Sequence, residues 1–294
     1  MSDNETTSHQ TPLFASDQPA SAVTDWSSYC ETLRRAAQGE NGLRGAHLSG
    51  ACLEGIDLSG VDLRDADLSG TCLDGADFSG ADLTGVDLSG LSAQRAVFIG
   101  ANMQGAILDG SKFDMAVLTD VNFREANAEQ TSFVCSHLVN AQGEGVCFAQ
   151  ADFTASTLTG ANLSNADFSM AKGNDADFTG ANMSEANLAG VDFTDAFLKD
   201  CDLGNTDLSE ATLNGADLKD AALVDVDMTG VIMRDALIQE AKFLRCNLTD
   251  ADLRGTAINI ANFKDCIWDG IRMDFRLGEP GATGLEGEDS GSDQ

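Results

Sequence analysis

A five-residue pattern recurs without a break in phase from residue 46 to residue 275. Each unit reads small residue, Asp or Asn, Leu or Phe, Ser or Thr, and Gly. These 230 residues divide into 46 quintets, and 42 of the third positions are large and apolar. A period of five matches neither the 3.6-residue period of an amphipathic helix nor the two-residue period of a strand. The pattern therefore predicts a repeat architecture, in which copies of one small unit stack on each other.

The quintet has a direct structural interpretation. Its first three residues form a very short strand whose side chains point inward, outward and inward, because side chains alternate along a strand. The Ser/Thr–Gly pair then turns the corner, since Gly adopts backbone conformations that other residues avoid. Alanine fills the first position in 26 of the 46 quintets, so small and large side chains alternate in a narrow interior.

The quintet A-D-L-S-G at residues 66–70, nearly repeated at 76–80 and 81–85, resembles the pentapeptide-repeat protein family. The resemblance covers residues 46–275. It implies an all-β fold: a right-handed, four-sided parallel β-helix solenoid with one quintet per side and 20 residues per coil. The 46 quintets would then form about 11 coils, and one strand spacing per coil gives a rod about 55 Å long. Aromatic residues at the 20-residue interval, Phe113, Phe133 and Phe153, agree with this coil length.

The segments that flank the array differ from it in composition. Residues 1–24 are rich in Ser, Thr, Asp, Gln and Pro and are predicted to be disordered. Residues 25–45 are predicted to form a short capping helix and a lead-in, because their first apolar residues fall on one helical stripe. A solenoid needs such a cover over its open apolar end. Residues 276–294 are predicted to form a disordered acidic tail.

The chain is strongly acidic. Its formal net charge is −31, and the array alone carries 37 acidic and 13 basic residues. This acidity favours basic partners and argues against direct binding to nucleic acid or anionic lipid. No apolar run is long enough to span a membrane, and the N-terminus lacks the basic and apolar regions of a secretory signal. The sequence therefore predicts a cytoplasmic protein without a membrane segment.

Groups suited to catalysis or metal binding are sparse. The three histidines, His9, His47 and His137, lie far apart and have no evident partner for acid–base chemistry. The cysteines follow the repeat and form no CxxC or Cys/His cluster. Cys52 and Cys72 are outward residues 20 positions apart, which would hold their Cβ atoms about 4.8 Å apart and disfavour a disulfide. We predict no enzyme activity, no metal and no cofactor.

Two functions remain open. The first is a non-catalytic scaffold or protein-interaction rod with an acidic surface. The second, which the family resemblance implies, is a DNA mimic that occupies the DNA-binding saddle of a type II topoisomerase such as DNA gyrase, giving inhibition or protection from drugs and toxins. A 55 Å length of B-DNA carries about 32 charges, and the array carries −24. The loops through which some relatives engage topoisomerases are not evident in the unbroken repeat.

Departures from the repeat identify the candidate partner-binding residues. Outward carboxylates surround the first two coils as an acidic collar: Asp57, Asp62, Asp67, Asp77, Asp82 and Asp87. Apolar residues replace the outward Asp or Asn along one predicted side: Val97, Val117, Phe197 and Leu237. The C-terminal end concentrates apolar residues: Ile267, Trp268, Ile271, Met273, Phe275 and Leu277. This end is predicted either to close on itself or to form a homodimer, as relatives do through the same end.

Two quintets have glycine at the third position, at Gly143 and Gly173. Each glycine predicts either a loop or bulge at one corner, or a locally thinned core that neighbours such as Phe148, Phe153 and Phe168 fill. A five-residue loop would preserve the count of the repeat and rotate every later quintet by one side.

Overall fold

The structure is a computed structural model that describes residues 42–258 and 261–274. Each quintet has the predicted in, out, in arrangement of side chains. In the quintet 46–50, Ala46 and Leu48 are buried and His47 is exposed. The same alternation of burial continues along the rod to residue 258, except that the second-position Asp252 is buried. The inward and outward positions predicted from the sequence are therefore confirmed.

One coil comprises 20 residues, because outward residues 20 positions apart pair as parallel β-bridges. Cys52 pairs with Cys72, which pairs with Ser92, and the same step repeats to Arg272. The rod therefore has four faces, each built from every fourth quintet. We number each face by an outward residue near its start: face 1 from His47, face 2 from Cys52, face 3 from Asp57 and face 4 from Asp62.

Within the described residues, three quintets form strands of three residues rather than single bridges, and all three lie on face 4. The strands are β1 (Ala222–Val224), β2 (Lys242–Leu244) and β3 (Asn262–Lys264). They form one parallel sheet in the order β1-β2-β3, with Leu223 in register with Phe243. Residues 42–258 and 261–274 contain no α-helix, so this part of the chain has no helix that could cross a membrane.

Most corners are tight turns closed by a backbone hydrogen bond. The N–H of Ala51 donates to the C=O of Leu48 at 3.0 Å, and equivalent bonds recur along the rod. The fifth residue of the quintet has a positive φ, such as +66° at Gly80 and +57° at Asn140. Glycine adopts this conformation without the steric penalty of a Cβ, which explains its recurrence at the fifth position.

Gly80 provides a test of this corner geometry, because a Cβ built there meets no other atom within 4 Å. We predict that Gly80→Ala lowers the free energy of unfolding by about 1 kcal/mol through the left-handed backbone conformation alone. Gly80→Asn should have a smaller effect, because asparagine adopts this conformation more readily, and Gly80→Val a larger one. Urea denaturation measures this order of stabilities. Equal stability of the alanine and valine variants would contradict it.

The interior is a continuous column of apolar side chains in which 11 phenylalanines are fully buried. Phe133 and Phe153, one coil apart, stack with ring centroids 4.9 Å apart and planes at 7°. Phe148 meets the ring of Phe153 edge-on, also at 4.9 Å. Stacked and edge-to-face pairs of rings stabilise a core beyond the area that they bury. Each coil is therefore stabilised by the coils on both sides of it.

The two glycine-centred quintets contain neither a loop nor a bulge. The N–H groups of Gly143 and Gly173 donate to the next coil at 2.8 and 2.7 Å, as other third-position N–H groups do. The core lacks a third-position side chain at these two points, and side chains of the following coil fill the space. A Cβ on Gly143 would lie 3.0 Å from Leu163, and one on Gly173 would lie 2.6 Å from Phe193. The nearest filling residues therefore differ from those suggested by the sequence: Phe148, Phe153 and Phe168.

The repeat geometry begins before the first residue assigned to the array from the sequence. Leu43 is buried, and its N–H donates to the C=O of Asp62 at 2.9 Å. Residues 42–45 therefore belong to the array rather than to a lead-in. The rest of the predicted capping helix and lead-in, residues 25–41, and the predicted disordered segments, 1–24 and 276–294, lie outside the described residues.

Candidate interaction surface

The acidic collar of the first two coils occupies faces 1, 3 and 4. Backbone bridges place Asp77 beside Asp57 and Asp82 beside Asp62. Arg64 lies between the last two: its Nη2 is 2.7 Å from Asp62 and its Nε is 3.3 Å from Asp82. The hydrogen bond from Arg64 lowers the pKa of Asp62. The collar is thus partly neutralised on face 4, through a pairing that was not predicted from the sequence.

Many outward aspartates have a structural role within their own quintet. The carboxylate of Asp67 accepts hydrogen bonds from the N–H and the hydroxyl of Ser69, at 3.1 and 2.7 Å. These bonds lower the pKa of Asp67. The same pair of bonds occurs at Asp57, Asp87, Asp152, Asp192 and Asp227. A second-position aspartate therefore stabilises its own turn, and its charge alone does not identify a binding site.

Face 4 continues beyond the collar as a ladder of amide side chains. Asn122 donates to Asn102 at 2.8 Å, and Asn182 donates to Asn162 at 3.2 Å. These bonds run along the rod from one coil to the next. The amides of face 4 therefore stabilise the stacking of the coils.

Face 1 is the most uniformly acidic surface of the rod. Its quintets, from 46–50 to 266–270, contain ten carboxylates and no Lys or Arg. The carboxylates are Asp67, Asp87, Asp109, Glu129, Asp167, Asp207, Glu210, Asp227, Asp250 and Asp269. Partial burial, together with the nearby charges of Glu129 and Asp87, raises the pKa of Asp109. Like charges therefore crowd on face 1, whereas each of the other faces also contains basic residues.

The apolar residues predicted to bind a partner all lie on face 3: Val97, Val117, Phe197 and Leu237. The outward residues of this face pair from coil to coil without interruption. Phe197 is 50% exposed and Leu237 is 38% exposed. Exposed large apolar residues also occur on face 1, at Ile107, Met170 and Ile267, and on face 2, at Met115 and Ile232. Face 3 is distinguished by the second position of its quintets, where Val, Leu or Phe occurs four times, whereas Ile occurs twice at this position on face 1 and once on face 2.

The C-terminal apolar cluster is divided between packed and exposed side chains. Trp268 contacts Phe263 with ring centroids 4.9 Å apart, and the partly buried Ile271 and Met273 pack against the core. Ile267 is an outward residue of face 1 and is 52% exposed. Two further predicted members lie outside the described residues: Phe275 and Leu277.

An ion-pair cluster stabilises face 2 near the same end. Asp252 is buried and accepts hydrogen bonds from the guanidinium groups of Arg234 and Arg254, at 2.6 to 2.9 Å. These bonds, with that from Arg254 the strongest cause, hold the pKa of Asp252 well below its usual range. The two arginines come from adjacent coils, so Asp252 links these coils through its side chain.

We predict that Asp252→Asn lowers the free energy of unfolding by about 1–3 kcal/mol at pH 7, because charge-assisted hydrogen bonds are lost. The folded pKa lies below the unfolded value near 4, so this stabilisation is complete above pH 4 and is lost as the pH falls toward the folded pKa. The difference in stability between protein and variant should shrink in urea melts between pH 5 and pH 2.

The control is Asp225→Asn, which removes the more exposed ion pair between Asp225 and Arg245 and should change stability little. A stability difference for Asp252→Asn that does not vary with pH would contradict the role of the charge.

The cysteines are positioned by the repeat. Cys52 and Cys72 are bridge neighbours on face 2, and both thiols are free. Cys201, Cys246 and Cys266 occupy inward first positions, and burial raises the pKa of Cys201 to about 12. These inward thiols act as small core residues. In the described part of the chain, no group of three or more His, Cys, Asp or Glu side chains is arranged to hold a metal ion.

The four faces, the 20-residue coil and the in, out, in quintet define a solenoid of the quadrilateral β-helix class. The sequence profile of the family Pentapeptide repeats matches residues 43–80, 76–114, 122–160, 136–172, 161–200 and 174–209. The profile Pentapeptide repeat region matches residues 196–273. The chain belongs to the pentapeptide repeat family, whose members are right-handed β-helices.

The solved structures that are similar to this chain include HetL and QnrB1. HetL, a pentapeptide repeat protein involved in heterocyst differentiation regulation from the cyanobacterium Nostoc sp. strain PCC 7120, is 21% identical, with a TM-score of 0.36. That match covers 82% of this chain and 93% of HetL. QnrB1, a plasmid-mediated fluoroquinolone resistance protein, is 19% identical over 67% of this chain and 89% of its own, with a TM-score of 0.37. No curated protein sequence matches this chain.

Proposed function

We propose that this protein is a non-catalytic, cytoplasmic rod that binds a protein partner through its outer surface. The observation that carries the proposal is the gathering of Val97, Val117, Phe197 and Leu237 on face 3 of an otherwise acidic rod. The inward residues and the turns stabilise the fold, so the outward departures from the repeat are available for recognition. Exposed apolar residues grouped on one surface are typical of interaction sites. The 46 quintets, at about 11 coils, would extend such a face over about 55 Å.

Affinity capture with the full chain, from cells that produce it naturally, tests this proposal. The unmodified chain should capture a partner that Phe197→Asp/Leu237→Asp does not retain. The comparison variant is Asp62→Lys/Asp82→Lys, which reverses the charge of the collar on face 4. Capture of no partner by the unmodified chain would contradict the proposal. Loss of the partner only with the collar variant would assign recognition to the acidic collar.

A second candidate function is that of a DNA mimic that binds a type II topoisomerase. Face 1 favours this candidate, because its ten carboxylates are not accompanied by a basic residue. The array charge of −24 is also similar to the about 32 phosphate charges on 55 Å of B-DNA. A basic, DNA-binding saddle would be the complementary surface on the enzyme.

A DNA gyrase supercoiling assay at micromolar protein tests the second candidate. Inhibition of supercoiling, or protection of the enzyme from a quinolone, is the expected result. The effect should be lost with Asp207→Lys/Asp227→Lys, since both carboxylates are exposed on face 1. An unmodified chain that neither inhibits nor protects the enzyme would exclude this candidate.

We also propose that the C-terminal end pairs with a second copy and that residues 25–41 cover the N-terminal end. The exposure of Ile267 supports the first proposal, and the need of a solenoid to cover its open ends supports both. Multi-angle light scattering at micromolar protein should give twice the 30.8 kDa of one chain. Ile267→Asp should then give a monomer. A monomeric unmodified protein would contradict the pairing.

A further inference from the structure

One part of face 3 differs from the rest of the rod surface. Over four consecutive coils, the second and fourth positions of its quintets carry no charged residue, and we call these eight residues the uncharged patch. They are Val97, Ile99, Val117, Thr119, His137, Val139, Thr157 and Thr159. On each of the other faces, no such run exceeds two coils. Asp120, an exposed fifth-position residue, is the one charged residue in these four quintets of a chain with a net charge of −31.

The core does not require these outward residues. The interior beneath the patch is filled by buried third-position residues: Phe98, Leu118, Leu138 and Leu158. An outward Asp followed by Ser would add two hydrogen bonds to the turn, as Asp67 and Ser69 do. Val97 and Ile99 have no polar side-chain atoms for such bonds, and Ile99 is 44% exposed. The patch thus replaces a stabilising turn motif with apolar side chains, of which Ile99 is exposed and Val97 is half-buried.

Carboxylates bound the patch at both ends of the same face. Asp77 lies one coil before Val97, and Asp177 lies one coil after Thr157. Five strand spacings separate the two carboxylates, or about 24 Å. Both accept hydrogen bonds from their own turns, and Asp177 also accepts one from the hydroxyl of Thr159 in the patch. Among the described residues, neither forms an ion pair with Lys or Arg. These two negative charges are therefore available to a basic group on a partner.

A second copy of this chain does not fit the arrangement. The middle of the patch lies between Val117 and His137, about equally far from Asp77 and Asp177. An antiparallel pair of rods centred there would place Asp77 of one copy against Asp177 of the other, and like charges at close range repel. Two arrays of charge −24 would also lie side by side. The charges therefore favour a basic partner of a different sequence.

We propose that the uncharged patch binds a segment of a partner protein that has an apolar centre and basic side chains about 24 Å apart at its ends. This inference rests on the proposed function as a protein-binding rod and specifies the chemistry of the partner. The apolar centre covers Val97, Ile99 and Val117, and the basic groups reach Asp77 and Asp177. An apolar centre surrounded by a charged rim is the usual arrangement of protein interfaces.

Selection of random 16-residue peptides, displayed on phage, against the full chain tests the proposal. A helix of 16 residues spans about 24 Å and an extended peptide of the same length spans more, so either conformation can reach both carboxylates. The enriched peptides should carry Lys or Arg on both sides of an apolar centre. Synthetic copies should bind Val97→Asp/Val117→Asp about tenfold more weakly than the unmodified chain. The matched control is Ile107→Asp on face 1, which should bind them normally.

A second variant, Asp77→Asn/Asp177→Asn, should also weaken binding, and it keeps the inference testable if the aspartate-substituted patch does not fold. Equal binding of the peptides by all variants would overturn the inference, as would the absence of the basic–apolar–basic pattern among them. A dimer that Val97→Asp/Val117→Asp converts to a monomer would instead assign the patch to a second copy. A partner captured from cells that binds all variants equally would leave the proposed function intact while this inference fails.

Discussion

Phe153→Ala is expected to lower the free energy of unfolding by about 3–5 kcal/mol. Phe153 is completely buried, and its ring lies 4.9 Å from the rings of both Phe133 and Phe148. Its removal opens a cavity in a column where each coil contacts only its neighbours, so few side chains can move to fill the space. Urea denaturation followed by circular dichroism measures the loss of stability.

Phe197→Ala is the matched control, because it removes the same side chain from an outward position that is 50% exposed. It should change the free energy of unfolding by no more than about 0.5 kcal/mol. Similar losses of stability in the two variants would contradict the assignment of Phe153 to the interior and of Phe197 to the surface.

Gly173→Leu, which restores the apolar residue that most quintets have, is expected to destabilise the protein by about 1–3 kcal/mol. A Cβ at Gly173 would lie 2.6 Å from two ring carbons of Phe193 and 3.4 Å from the ring of Phe178. The ring of Phe193 is buried and packs against that of Phe178 with centroids 4.9 Å apart. Phe193 therefore cannot move away without displacing a second ring.

Phe193→Leu in the Gly173→Leu background should recover part of this loss of stability, because a leucine at position 193 is smaller than the ring and leaves room for the new side chain at position 173. A double-mutant cycle should give a coupling energy of about 1 kcal/mol or more. Gly143→Ala is the milder comparison, since its Cβ would lie 3.0 Å from a methyl group of Leu163 that can shift. An increase in stability with Gly173→Leu would reveal an unfilled void and contradict the observed packing.

The period of the repeat is sufficient to predict which side chains point inward, and the family resemblance predicts where the coil closes. The stacking of Phe113 on Phe133 and of Phe133 on Phe153 follows from their 20-residue spacing. The packing at Gly173 could not be predicted in the same way. It depends on the ring of Phe193, which lies one coil further along the rod and fills the space beside Gly173 that a third-position side chain would otherwise occupy.

Several pairs of outward side chains share a spacing that the five-residue period alone does not reveal. In these pairs, a fourth-position side chain contacts the second-position residue two positions before it or the one 18 positions after it. Arg64 contacts Asp62 and Asp82 in these two ways, and Arg254 contacts Asp252 in the first. This rule follows from the 20-residue coil, and it would have shown that the acidic collar is partly neutralised.

The sequence identified Val97 and Val117 as departures from the repeat but did not include Ile99 and Val139 with them. The fourth position lies at the corner, where Ser, Thr and many other residues occur, so an apolar residue there is not conspicuous in the sequence. The structure places these corner residues on face 3, two coils apart, with Thr119 in the coil between them. An extended uncharged surface is therefore evident only when both positions are followed along one face.

The claim that face 3, rather than the total charge, determines recognition is tested most directly by two variants that add the same charge. Phe197→Asp/Leu237→Asp and Ile107→Asp/Ile232→Asp each introduce two carboxylates at exposed apolar positions, but only the first pair lies on face 3. Titration calorimetry with the captured partner measures both affinities. We predict a loss of about tenfold or more for the face 3 variant and less than about twofold for the other. Equal losses would show that the partner responds to charge alone and would contradict this assignment.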